Sequence, residues 1–418
     1  MRSVIRFGAI FLAWYAFISF NLFGQAVQDN SPFDVSVSYT GDVFGNTVGG
    51  ADQGLRYFDN IDVNMEVNFG ELPLGLDGTT FYIYGIGNQG GSITELVQDL
   101  QGTSNIEAEN SWRIFEAWAQ QKFFLANSSI LAGLYDINSE FNVLNSSLLF
   151  LNSSHGLDPT IALSGKLGPS TFPYTSLAAR FKINPYRGLV LQGALLDGVP
   201  SNPENTRGTK VFFREEDGIF MIGEINYHGD SGRNLQIRNR VARLESILAP
   251  GVETDNKFAV GGWYYSKQRA VYGNSANTEN EYGVYAMAEY EILKDAGNKS
   301  RSTSVFTRLG WSNPDVRQVT GFVGGGIVME GLLAARPNDK TGIAVAHTSL
   351  SSDYIDYTKN QDGVPIREDA ETNFELTHLI FINEYTQLQA NFQYILNPGA
   401  EPTLDNAFVT GMRIMIGF

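Results

Sequence analysis

The sequence predicts an all-β fold, a transmembrane antiparallel β-barrel of about sixteen strands with inward-folded loops containing short helices. Three observations predict it. Many segments alternate apolar and polar residues with a period of two, and no long apolar run follows the first 25 residues. The composition joins 28 Phe, 19 Tyr and 44 Gly to a mean hydropathy of −0.14, so the apolar side chains are spread thinly over one face of many strands.

The last stretch, Ala407 to Phe418, carries the pattern most plainly. Phe408, Thr410, Met412, Ile414 and Ile416 alternate with Val409, Gly411, Arg413, Met415 and Gly417. A strand of about 9–11 residues crosses a bilayer at a tilt, and a chain-terminal aromatic residue fits the closing strand of an outer-membrane barrel. Phe418 is therefore the expected signal read by the assembly machinery. The opening stretch behaves alike: Phe33, Val35, Val37 and Tyr39 alternate with polar residues, and Ile61, Val63, Met65, Val67 and Phe69 alternate with Asp62, Asn64, Glu66 and Asn68. Alternation alone fits a soluble sandwich equally well; the number of such segments, with nothing else to cover their apolar faces, favours the barrel.

Further strands are expected near 80–87, 113–121, 130–136, 175–183, 188–195, 218–228, 257–266, 281–291, 303–311, 319–328, 341–347, 372–382, 385–396 and 407–418. Asn184 to Gly188 and Asn383-Glu384 read as tight turns on one rim. In 385–396, Gln387, Gln389, Asn391 and Gln393 form a ladder of amides on the inner face. Gly324, Gly325 and Gly326 read as a tight barrel corner. Three stretches do not read as strands: 92–100, with helical spacing and a capping box of Ser92 and Glu95; 138–171, which is long and Leu-rich; and 233–248, which is basic with helical spacing. Long loops of this kind can fold inward and narrow a pore.

Residues 1–26 place Arg2 and Arg6 before an apolar run and end in Gly24-Gln25-Ala26, which reads as a secretory signal peptide ahead of one domain over 27–418. The formal charge of −16 becomes −18 without that leader's two Arg, which argues against nucleic acid as a partner. The absence of Cys excludes disulfides and a lipoprotein leader.

Five groups of residues carry a resemblance to a known family. They are Asp99 to Ala108 (DLQGTSNIEA), Phe115 to Trp118 (FEAW), Gly133 to Phe141 (GLYDINSEF), Phe150 to Ser154 (FLNSS) and Gly168 to Ser176 (GPSTFPYTS). Glu371 to Glu375 (ETNFE) and Gln393 to Pro398 (QYILNP) extend it toward the C-terminus. In order and spacing these resemble the carbohydrate-selective porin family, OprB type. The resemblance implies a bacterial outer-membrane barrel that passes mono- and disaccharides by diffusion, with sugars and membrane lipid as its partners and no cofactor.

A sugar pore uses carboxylates, amides and Arg to exchange hydrogen bonds with hydroxyls, and aromatic rings to stack on sugar faces. Phe115, Ala117 and Ala119 toward lipid put Glu116, Trp118 and Gln120 in the lumen. Leu131, Gly133 and Tyr135 outward leave Asp136 within. Leu177, Ala179 and Phe181 outward send Arg180 and Lys182 inward. Glu116, Trp118, Asp136, Glu140 and Arg180 are the expected lining residues; each also fits a structural network of the barrel wall. A general diffusion porin and a barrel-type hydrolase are the alternatives, and a homo-oligomer is compatible with either. The four histidines, His155, His228, His347 and His378, form no metal pair, and no nucleophile elbow occurs. Deletion of Phe418 is expected to lower the outer-membrane level of the protein with export across the inner membrane unchanged, which cell fractionation would measure; a normal outer-membrane level would remove that role.

Overall fold

The computed structural model describes residues 31–123, 127–229, 256–294, 301–360 and 366–417. The leader, the 233–248 stretch and Phe418, with the expectations attached to them, lie outside the described residues. Sixteen strands run in chain order: β1 (Phe33–Gly50), β2 (Gly54–Asn68), β3 (Thr79–Gly90), β4 (Ser111–Phe123), β5 (Ser128–Tyr135), β6 (Ser176–Tyr186), β7 (Leu189–Asp197) and β8 (Ile219–His228) form one half. β9 (Lys257–Val271), β10 (Asn274–Lys294), β11 (Ser302–Ser312), β12 (Val319–Glu330), β13 (Lys340–Leu350), β14 (Ala370–Asn383), β15 (Thr386–Leu396) and β16 (Asp405–Gly417) form the other. Each pairs antiparallel with its sequence neighbours, and β1 pairs with β16, so the sheet closes and has no free edge strand.

The period of two sets the two faces. On β2, Asp62, Asn64 and Glu66 are buried inside the barrel while Val63 is exposed outside. On β16, Phe408 and Met412 are exposed, and Val409 and Arg413 are buried. The turns expected at Asn184 to Gly188 and at Asn383-Glu384 form at 187–188 and 384–385, because β6 continues through Tyr186 and β14 through Asn383, and both lie on the rim that holds the barrel's termini. The opposite rim carries 91–110, 136–175, 198–218, 351–360, 366–369 and 397–404. His347 and His378 lie on outward-facing positions, bonded to Thr372 and Thr341 of the adjacent strands.

Segments 91–110 and 136–175 turn into the barrel. Their helices are short: α1 (Thr94–Val97) and α2 (Pro159–Ala162), with a longer α3 (Ser352–Lys359) on the same rim. The expected helix over 92–100 contracts to α1. Ser92 Oγ does accept from Glu95 N at 3.1 Å, but Glu95 does not close the box; the carboxylate of Glu107 takes that place, bonded by Ser92 Oγ and, at 3.3 Å, by Thr94 N. Gln98, at φ 60°, ends the turn in the left-handed region. The three glycines of β12 make no corner. A Cβ on Gly324 would lie 2.7 Å from the Phe322 ring and one on Gly326 2.7 Å from the Phe306 ring, so these positions make room for inward-pointing rings on a regular strand.

Closure of the barrel is fastened at one inner point. Asp42 of β1 and Arg413 of β16 are register partners, joined by two hydrogen bonds of 2.7 and 2.8 Å, and both are buried. A bidentate pair of this kind stabilises only while both partners are present. Arg413→Leu, which leaves Asp42 buried without its cation, is expected to destabilise the barrel by about 3–5 kcal/mol. Adding Asp42→Asn should recover a large part of that loss. Urea unfolding in detergent micelles measures both; equal stability of Arg413→Leu and the parent would refute the role given to the pair.

Candidate functional site

A chain segment carried into a barrel leaves water behind, and each of its backbone groups needs another partner. The wall supplies them with charge. Carboxylates of inward positions accept backbone N–H groups of segment 136–175: Glu224 from Asn142 at 2.8 Å, Glu289 from Ser146 at 2.9 Å, Glu375 from Leu151 and Asn152 at 2.7 and 3.0 Å, and Glu281 from Gly165 at 2.8 Å. Wall cations and amides donate to its carbonyls. Lys257 reaches Val143 O at 2.7 Å, Arg308 reaches Asn142 O at 2.6 Å and Gly156 O at 3.2 Å, and Gln389 reaches Leu149 O at 2.6 Å. Arg317 donates to Leu163 O.

Segment 91–110 is held in the same way. Glu371 accepts from the backbone of Leu100, Gln101 and Gly399 at 2.8, 3.1 and 2.6 Å, and Gln393 donates to Thr103 O at 2.7 Å. The amide ladder of β15 is thus on the inner face as expected, but two of its rungs, Gln389 and Gln393, hold loop backbone.

Five residues expected in the lumen form one connected network. Glu116 accepts from Trp118 Nε1 at 3.2 Å and from Asp136 N at 3.1 Å. Asp136 accepts from Asn138 N at 2.8 Å and so caps the 3-10 turn Ile137–Ser139. That turn delivers Glu140, whose carboxylate meets Arg180 Nε at 2.7 Å, Lys182 Nζ at 3.0 Å and Tyr135 Oη at 2.7 Å. Arg180 also donates to Ser129 Oγ at 2.6 Å and Gln120 Oε1 at 2.7 Å. Glu116, Asp136 and Arg180 are almost fully buried, and Trp118 lies against Tyr82 with 4.9 Å between ring centroids. Glu140 and Lys182 keep 17% and 20% of their side chains accessible, which makes them the open part of the cluster. Burial would raise the Glu140 carboxyl, but Arg180 and Lys182 overcome it and hold the group down at about 2.

Two register expectations are overturned. Phe115 does not face lipid. Tyr84 pairs with Glu116 while the next residue, Gly85, pairs with Ile114, so Phe115 is the extra residue of a β-bulge and turns inward against Tyr84 and Phe172. Glu116, Trp118 and Gln120 still face inward because the bulge lies before them. Leu131, Gly133 and Tyr135 do not face out either. Leu131 pairs between Gln120 and Arg180, and Ile130 and Ala132 take the outer face. Asp136 is inside because it follows the strand and begins the inward segment. In both places the inner face is apolar because it packs on protein: Tyr82, Tyr84, Phe115, Trp118, Leu131 and Tyr135 share a core with Ile137, Phe141, Leu144, Leu149 and Phe150 of the inward segment.

Glu224, Glu289, Glu375 and Arg308 were missing from the expected set. Their inward parity is readable within each strand, but their partners lie 82 to 224 residues away and carry no pairing signal of their own.

The sequence profile of the carbohydrate-selective porin, OprB family, matches residues 52–418. Porin B of Pseudomonas aeruginosa is 23% identical over 416 residues, covering 92% of this chain and 87% of that protein. The high-pH structure of Pseudomonas putida OprB superposes with a TM-score of 0.79 at 20% identity, covering 93% of this chain and 94% of that one. The low-pH structure of the same protein gives 0.56 at 17% identity, covering 93% of each. These two likenesses concern the fold, while the profile spans β2 to β16 and both inward segments. On that match the chain belongs to the carbohydrate-selective porin, OprB family, and is a carbohydrate porin of the bacterial outer membrane.

Proposed function

We propose that mono- and disaccharides diffuse through a water-filled lumen narrowed by segments 91–110 and 136–175, and that Glu140 and Lys182 form the polar face a passing sugar meets, with the buried Arg180 holding Glu140 from behind. The observation that carries this is the exposure of Glu140 and Lys182 at the one place where the inward turn meets the wall cations. A carboxylate accepts from sugar hydroxyls and an ammonium or guanidinium donates to them, so a neutral sugar can exchange both kinds of bond along this face. Glu116, Trp118 and Asp136 act behind it. They fix the turn that presents Glu140, and they are too buried to offer a solute more than a small part of their surface. The protein works as a channel without catalysis. Residues 1–26 act as the export leader, Phe418 as the assembly signal, and copies of the chain associate in the membrane.

Flux through liposomes carrying the refolded protein tests this, with sugars of increasing size set beside amino acids and ions of similar size. Sugars are expected to enter faster, with a sharp size limit; equal entry for all would leave a general porin. Glu140→Gln turns one accepting oxygen into a donor and Lys182→Met removes a donor, each worth about 0.5–1.5 kcal/mol, and each should change sugar flux by about two- to tenfold with the channel still open. Unchanged flux in both would place the sugar path elsewhere.

Acid gives a second test. Because the Glu140 value is depressed, the stability its ion pairs contribute is complete above the ordinary carboxyl value of 4.5 and is lost as pH falls from there toward about 2. The stability difference between the parent and Glu140→Gln should be constant near neutral pH and shrink below about pH 4.5. A difference that survives unchanged at the acid end would mean that these ion pairs do not hold the turn.

A further inference from the structure

The wall is low in one quadrant. β4 has 13 residues and β9 has 15, but β5 and β7 between them have 8 and 9. Pairing of β4 with β5 covers only Ala117 to Phe123, so Ser111 to Glu116 has no strand on that side among the described residues. Backbone groups there are met by loop hydroxyls. Thr175 Oγ1 donates to Phe115 O, and Thr209 Oγ1 both accepts from Ile114 N and donates to Ile114 O, each at 3.0 Å.

Thr209 belongs to the β7–β8 loop, and the buried Lys210 after it is followed by three consecutive exposed apolar residues, Val211, Phe212 and Phe213. Lys210 is buried, its ammonium held by Asp197 at 2.7 Å, Asp217 at 2.5 Å and Val199 O at 2.8 Å. Phe212 covers that ion cluster, with its ring 5.6 Å from Lys210 Nζ and 5.2 Å from the Arg214 guanidinium. Val211 and Phe213 are 60% and 63% exposed, and Phe212 between them is 44% exposed. The outward residues beside this segment are also apolar and exposed: Trp112 and Ile114 on β4, Leu195 on β7 and Ile219 on β8.

We propose that residues 209–213 are part of the membrane-facing wall, and that Val211 and Phe213 contact lipid at the outer-leaflet edge of the apolar band. Continuity with that band selects lipid as the occupant. The barrel's outward apolar face is already its contact with the membrane, Ile114 and Trp112 belong to it, and the segment is bonded to the backbone of Ile114. The rim is the one with the long loops, which in outer-membrane barrels is the extracellular rim, and aromatic residues concentrate at that level. The buried Lys210 cluster pins the segment against the wall.

The chain has no Cys, so single-cysteine variants carry no background label. Val211→Cys and Phe213→Cys would each be labelled with a nitroxide in the full chain, reconstituted in phosphatidylcholine vesicles, and probed with oxygen and a water-soluble nickel chelate. Leu195→Cys supplies the lipid reference and Glu204→Cys, exposed on the same loop, the water reference. Retained sugar flux confirms an intact barrel. Oxygen-to-nickel collision ratios matching the Leu195 site, and several-fold above the Glu204 site, are the expected result. Ratios like those at Glu204 would put the segment in water and overturn the proposal. Occlusion from both reagents would also overturn it, by showing that protein covers this face.

Discussion

Everything inside this barrel depends on one constraint: backbone groups taken away from water must find partners. Segments 91–110 and 136–175 contain little regular structure, so most of their amides and carbonyls cannot bond each other as those of a long helix would. The wall meets them with ionised and amide side chains from β1, β3, β4, β7, β8, β9, β10, β11, β14 and β15, and with Arg317 just ahead of β12. Charged partners form stronger hydrogen bonds than neutral ones, and the carboxylates have two oxygens that can take neighbouring amides together, as Glu375 does with Leu151 and Asn152. A path so irregular is fixed because each turn of it has its own partner on the wall.

The same constraint explains which parts of the fold were legible in the sequence. Where the inner face meets solvent or polar loop backbone, it is polar and the outer face apolar, and the period of two gives strand and side together; β2 and β15 are such cases. Where the inner face meets an apolar piece of the inward segment, both faces become apolar and the side is lost. Leu131 and Tyr135 on β5 are apolar because they pack on the core shared with Ile137 and Phe141. The bulge at Phe115 adds a second kind of loss. One extra residue inverts the parity of everything on one side of it, and no residue type in FEAW announces it.

The five residues expected to line the lumen show how composition and geometry divide the information. Glu116, Trp118, Asp136, Glu140 and Arg180 converge as one network, but only Arg180 came with a parity that the structure keeps throughout its strand, while Asp136 lies inside although the parity expected of β5 was reversed. Their different exposures were not legible in the sequence. Whether an inward carboxylate faces a solute or an amide depends on where the inward segment runs, and that is set by contacts spread across the barrel. Lys182 shows this directly. Its parity was clear, but only the arrival of Glu140 beside it, on a turn 42 residues earlier in the chain, distinguishes it from other inward cations.

This division bears on how an acidic barrel handles neutral solutes. Five wall carboxylates, Glu224, Glu281, Glu289, Glu371 and Glu375, face backbone amides, and Asp42 faces Arg413. Their charge is directed into fixed donors at hydrogen-bond distance. A passing ion therefore meets a weaker field than the formal count of acids suggests, because each carboxylate already lies against aligned N–H dipoles or a cation. A sugar needs no net field. It needs donors and acceptors placed side by side, and on the proposed path the partly open Glu140 and Lys182 would supply both. These six acids thus act first on the chain itself, and what they fix is the path of the inward segments and the closure of the barrel.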